Sequence, residues 1–205
     1  MTATVTNSIE RGTASFTLTK TVQNSYSISG LPSSYEVEYS VNGGAVESIT
    51  LTPGTPSAAI AVPAGAIVTV REVAPDAVAY ATWNAPSWTV TGGGSATVPD
   101  GWHAAFEVAQ DAAVSATVRN TIQRDYGSFT IAKYVVNAEG VANVPSSYGF
   151  EYRINGGPVQ DVTVVAGLTS STVAVAVAAG SLVEIREKAL PAVDGGSWLA
   201  PIWTI

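Results

Sequence analysis

Apolar and polar residues alternate one by one over short runs along the whole chain, which is the pattern of strands with one buried face. In Ser15–Lys20, SFTLTK, this puts Phe16, Leu18 and Lys20 on one face and Ser15, Thr17 and Thr19 on the other. Strand 15–22 is followed by further predicted strands over 35–41, 45–51, 57–62, 66–73, 86–91, 104–109 and 113–122. Asn42-Gly43-Gly44, between two of them, carries the residue types of a tight hairpin turn. Long apolar runs of helical period are absent, so the pattern predicts an all-β antiparallel sandwich.

The pattern occurs twice. SFTLTK returns as SFTIAK over 128–133, and LPSSYEVEYSVNGG (31–44) returns as VPSSYGFEYRINGG (144–157). VPAGAIVTVREVAP (62–75) matches VAAGSLVEIREKAL (177–190), and WNAPSWTV (83–90) matches WLAPIWTI (198–205). ATVRNTIQRD (116–125) has its copy at ATVTNSIERG (3–12), ahead of the first repeat. The expected division is therefore a closing strand of a preceding or neighbouring repeat over 1–10, a complete repeat over 11–123, and a second repeat over 124–205 without its final strands.

Composition narrows the function. Hydrophobic residues make up 46% of the 205, enough for a real core, and there is no cysteine, which removes disulfides and thiolate metal sites. A net charge of −7 without a basic stripe excludes nucleic acid as a partner. No apolar run approaches membrane-spanning length, so membrane insertion of this segment is not expected. No signal peptide follows Met1, so an exported parent would carry targeting and anchoring segments elsewhere. Asp76, Asp100 and Asp111 stand singly in predicted turns, His103 is the one histidine, and no metal or cofactor is called for. No nucleophile–base pair, phosphate loop or catalytic carboxylate pair emerges, so a multiple-turnover enzyme is not expected.

Three polar residues break the apolar faces at matching places. Lys20 lies in phase with Phe16 and Leu18, and Glu72 with Val68 and Val70. Asn120 lies in phase with Ala116, Val118 and Ile122. Lys133 and Glu187 repeat the first two in the second copy, and Asn7 repeats the third on strand 3–9. The chain has only three lysines, and two of them take this inward position. A buried ammonium is costly unless it is paired or neutralised. A lysine on the first strand, a glutamate mid-domain and an asparagine on the last strand meet if the first and last strands are neighbours.

In this order the residues resemble the Cna-type B repeats and related pilin domains of Gram-positive surface proteins. VTVREVAP is similar to the family's short glutamate box with its proline turn, and VRNT and VTNS are similar to its terminal asparagine strand. The second box departs by placing Leu190 before Pro191. The resemblance implies tandem immunoglobulin-like domains of an extracellular stalk, pilus or adhesin. It also implies an intramolecular isopeptide bond from Lys20 to Asn120, assisted by Glu72. Lys133 and Glu187 repeat the first two residues, but the second repeat holds no asparagine at the required place and cannot react alone. Burial supplies the chemistry: it favours neutral lysine and protonated glutamate, making the amine a nucleophile.

The plain alternative is a buried Lys–Glu salt bridge with a hydrogen-bonded asparagine. The expected partners are neighbouring repeats or protomers of the same protein. The alternative function is a glycan- or protein-binding module with a host or cell-surface ligand. Trp83 and Trp88 recur as Trp198 and Trp203 and read as packing residues, which leaves only Trp102 unrepeated. The mismatched ends suggest one further expectation: strand 3–9 of one chain fills the open repeat of the next, placing Asn7 against Lys133.

Overall fold

A computed structural model describes residues 1–137, 139–167 and 174–205, and it divides into two units, Met1–Arg124 and Asp125–Ile205. Among the described residues there are strands and turns and no helix. The first unit contains β1 (Thr13–Gln23), β2 (Tyr35–Val41), β3 (Val46–Leu51), β4 (Ile60–Pro63) and β5 (Ala66–Glu72). It continues with β6 (Ala81–Trp83), β7 (Ser87–Thr91), β8 (Ala96–Thr97), β9 (His103–Val108) and β10 (Ala113–Arg124). One sheet runs β4-β1-β10, with β6 and β7 both on the far side of β10; the other runs β3-β2-β5-β9-β8. This is the two-sheet sandwich expected from the alternation, of the immunoglobulin-like class that the resemblance implies. β6 and β8 are additions, since three- and two-residue strands are too short to show a period.

Burial follows the alternation. On β5, Ala66, Val68, Val70 and Glu72 are buried and the residues between them are exposed. The core joins Phe16 and Leu18 of β1 to Val68 and Val70 of β5, Phe106 of β9 and Val114, Ala116 and Val118 of β10. Phe16 meets Tyr39 and Phe106 edge-to-face at 5.5 and 5.7 Å. Ile28, Val78 and Ile122 form a smaller buried cluster, with Trp83 packed against it. At the β2–β3 hairpin, Asn42 and Gly43 both have positive φ (52° and 67°), which is why the turn takes these residue types. The Asn42 side-chain oxygen also accepts a hydrogen bond from Ile67 N at 2.9 Å, tying the turn to β5.

One ladder departs from the antiparallel scheme. β1 and β10 are neighbours, as the site requires, but they run parallel, with Lys20 opposite Val118 and Val22 opposite Asn120. Alternation fixes which face a residue takes and carries no information about strand direction.

The second unit contains β11 (Tyr126–Phe129), β12 (Ser147–Ile154), β13 (Gln160–Val165), β14 (Val175–Ala178) and β15 (Val183–Glu187). β11 pairs with β14, and β13-β12-β15 form the other sheet. Its buried cluster is Ile131, Tyr148, Phe150 and Val164. The copy of β1 is shorter than expected, ending at Phe129 rather than running through Lys133. In the first unit β4 holds only Thr13–Phe16, and β10 carries the rest of β1. β11 has the β4-like partner and, among the described residues, no β10-like one. Residues 198–205, the copy of 83–90, likewise form no strand. Residues 1–12 are almost fully exposed and form no strand in this chain.

Candidate functional site

The three inward polar residues of the first repeat meet. Lys20 is the last fully buried residue of β1, Glu72 ends β5 in the facing sheet, and Asn120 lies on β10 beside β1. Their residue exposures are 0%, 2% and 0%, and they are the only buried polar or charged residues described. Asn120 stands between Val118 of the main core and Ile122 of the end cluster, so apolar side chains enclose the trio from both directions. Glu72 reaches across the sandwich. Its Oε1 accepts from Lys20 Nζ in a short contact and from Asn120 Nδ2 at 3.1 Å. Backbone contacts hold Glu72 in place, with its N–H donating to Trp102 O at 3.1 Å.

Electrostatics here are set by burial. Desolvation lowers the Lys20 pKa and outweighs the opposing hydrogen bond and charge of Glu72. Desolvation likewise raises the Glu72 pKa against the pull of Lys20 and Asn120. Both shifts favour the uncharged pair, neutral amine and protonated carboxyl. Glu72 Oε2 and Asn120 Oδ1 are buried and have no hydrogen-bond partner among the described residues. Two ionised or lone acceptors left this way are costly, whereas a proton on Oε2 converts one of them into a donor.

The second repeat brings together two of its three residues. Lys133 Nζ lies 2.8 Å from Glu187 Oε1, with side chains 14% and 9% exposed, against 0% for both Lys20 and Glu72. No asparagine is among the hydrogen-bond partners described for this pair. Asn7 lies on the exposed segment 1–12, away from any described partner of Lys133 or Glu187.

Sequence reasoning missed one participant. Tyr35, 4% exposed, places its ring over Lys20 with the centroid 4.6 Å from Nζ, and Tyr148 does the same over Lys133 at 5.1 Å. The shared PSSY stretch was the available signal, since it repeats with the lysine. Of the aromatic candidates, Trp88 is buried in the core and Trp83 packs against the end cluster. Trp102 is partly buried, and the adjoining His103 pairs with Asp100 at 2.9 Å. Among the described residues no group of three or more His, Cys, Asp or Glu side chains could hold a metal ion.

A family described as "Domain of unknown function (DUF5979)" matches residues 16–123, which span the first repeat from Phe16 to the end of the asparagine strand. No curated protein sequence matches the chain. Among solved structures, the chain is similar to a bacterial adhesin from Mobiluncus mulieris containing intramolecular disulfide, isopeptide and ester bond cross-links, seen in two crystal forms. Identity is 19%, with TM-scores of 0.41 and 0.40. The match covers 56% of this chain and 42% of the adhesin chain, so the present chain corresponds to less than half of that structure. It is also similar to a single B repeat unit of the collagen-binding surface protein of Staphylococcus aureus. There identity is 11% and the TM-score 0.24, over 91% of this chain and 89% of that one.

Proposed function

This chain belongs to the DUF5979 family, and we propose that its complete repeat is a self-crosslinking structural module of an extracellular stalk, pilus or adhesin. The observation that carries this reading is the wholly buried contact of Lys20, Glu72 and Asn120 across the two sheets. The neutral Lys20 amine attacks Cγ of Asn120 and negative charge develops on Oδ1, while the protonated Glu72 carboxyl stands against Nδ2. Glu72 takes a proton from the attacking Lys20 nitrogen and gives its own to Nδ2. The charge on Oδ1 re-forms the carbonyl, the Cγ–Nδ2 bond breaks, and ammonia leaves. An amide joins β1 to β10, and Glu72 ends as it began. The event happens once per molecule, so the module is no turnover enzyme.

The parallel ladder supports a mechanical role. Tension applied at the start of β1 and the end of β10 shears two strands lying side by side. A covalent bond between them carries that load past the noncovalent ladder. The test is intact mass of the folded, purified chain under denaturing conditions. A mass lower than the sequence mass by one ammonia is expected, and Lys20→Met or Asn120→Ala should restore the full mass. Full mass in the unaltered chain rules the bond out and leaves a buried salt bridge.

A second reading concerns the Asp125–Ile205 unit. Lys133 and Glu187 are paired there beneath Tyr148, and segment 3–9 repeats the strand that supplies Asn120, with Val5 and Ile9 exposed by 84% and 98%. We propose that segment 3–9 of a second copy adds as a strand beside β11 and brings Asn7 to Lys133. Such a head-to-tail contact does not close on itself and builds a fibre. Denaturing gels of the concentrated chain should show a ladder of multimers that Asn7→Ala abolishes. A single monomer band rules out assembly in trans.

A further inference from the structure

We propose that Tyr35 is a positioning residue for the Lys20–Asn120 reaction: its ring is the wall that keeps the amine dry, standing between Lys20 Nζ and a cleft open to solvent. The inference rests on the crosslinking reading above. Tyr35 opens β2, and its ring lies over Nζ at 4.6 Å. The same residue lines a cleft of about 270 Å³ together with Pro32, Ser34, Glu36, Val73 and Asp76. Tyr35 is thus shared between the surroundings of the amine and the lining of the cleft.

The ring is itself held. Trp83 meets it edge-to-face at 6.1 Å and 90°, and Trp83 Nε1 donates to Asp76 O at 3.0 Å on the rim of the cleft. The second repeat copies each part. Tyr148 lies over Lys133, meets Trp198 at 6.0 Å and 87°, and Trp198 Nε1 donates to Pro191 O at 2.7 Å. Two tryptophans that pattern alone reads as core thus buttress the wall of each lysine site. In both copies the tyrosine hydroxyl is buried without a hydrogen-bond partner, so the ring and not the hydroxyl makes the contacts.

Two effects of the ring on Lys20 oppose each other. Its face attracts the ammonium through the ring quadrupole. Its bulk excludes water, and loss of hydration penalises a buried ion by more than one ring contact returns. The second effect is larger, so the wall favours the neutral amine that the reaction needs. The titratable groups facing Lys20 are Glu72 from β5 and Tyr35 from β2, and Asn120 from β10 is uncharged. Glu36 and Asp76 stand on the cleft side of the ring. Glu72 and Lys20 share one proton between them, so a dry site should react at a rate that is flat across neutral pH. Water admitted to Nζ raises the lysine pKa toward its ordinary value, and the rate then becomes limited by amine deprotonation and climbs with pH.

The experiment refolds the full chain from denaturant at a series of pH values, quenches samples in time, and reads the bond by intact mass. The unaltered chain and Tyr35→Phe should crosslink at the same rate with flat profiles. Tyr35→Ala should crosslink at least about tenfold more slowly at neutral pH, a barrier increase of about 1.4 kcal/mol, and recover as pH rises. Circular dichroism checks that each variant has folded. Where Tyr35→Ala does not fold, Tyr35→Leu keeps apolar bulk without covering Nζ and should show the same pH-dependent slowing. A flat profile at the unaltered rate in the folded Ala or Leu variant overturns the proposal, as does a Phe variant as slow as Ala. No bond in the unaltered chain refutes the crosslink itself, an outcome distinct from failure of the wall alone.

Discussion

Glu72→Ala is expected to yield a chain of full sequence mass, with the first repeat strongly destabilised relative to the crosslinked form. Glu72 is the single partner that both Lys20 Nζ and Asn120 Nδ2 share, and it comes from the opposite sheet, so no neighbour on β1 or β10 replaces it. Removing it takes away the proton relay and leaves a fully buried amine without a carboxylate. Breaking a buried pair from one side costs about 3–5 kcal/mol, in addition to the stabilisation lost with the covalent bond. Glu72→Gln separates the two effects, because it keeps a hydrogen-bonding group of the same shape and cannot shuttle a proton. It should fold better than Glu72→Ala and remain equally uncrosslinked. Retention of the mass loss in either variant would assign the proton transfer to another group.

Asn120→Ala should melt far below the unaltered chain. The proposed Lys20–Asn120 bond would close a loop of about 100 residues, and in the chain-entropy account a crosslink of that span is worth roughly 4–5 kcal/mol. For a domain of this size that corresponds to a fall in Tm on the order of 20 °C. Differential scanning calorimetry reads it directly, with Asn120→Asp as the companion. An aspartate keeps the size of the side chain, and any bond it forms is distinguished by loss of water rather than ammonia. Equal Tm values for the unaltered chain and Asn120→Ala would mean that the trio is a noncovalent cluster. The second repeat serves as an internal reference, since its Lys133–Glu187 pair is more exposed and the substitution leaves it untouched.

What the sequence by itself determined was which face each residue takes. The alternation in SFTLTK, in VTVRE and in ATVRNTI placed Lys20, Glu72 and Asn120 inward, because a strand with a buried face permits one register only. The repeat pointed to Glu187 by the same rule, whereas the strand it predicted around Asn7 does not form in this chain and Lys133 lies outside one; the NGG turn fixed the β2–β3 hairpin through the positive φ it demands. The tertiary structure alone decided which of these residues touch. Lys20 and Asn120 are about 100 residues apart, and only the pairing of β1 with β10 puts them side by side; its parallel sense lies beyond any local pattern. Short strands such as β6 and β8 form because a neighbour holds them, and Lys133 lies outside a strand where β11 has, among the described residues, no second neighbour. Tyr35 was hidden for the same reason. An aromatic residue at the head of a strand looks like any core residue until the fold sets its ring over an amine from the facing sheet.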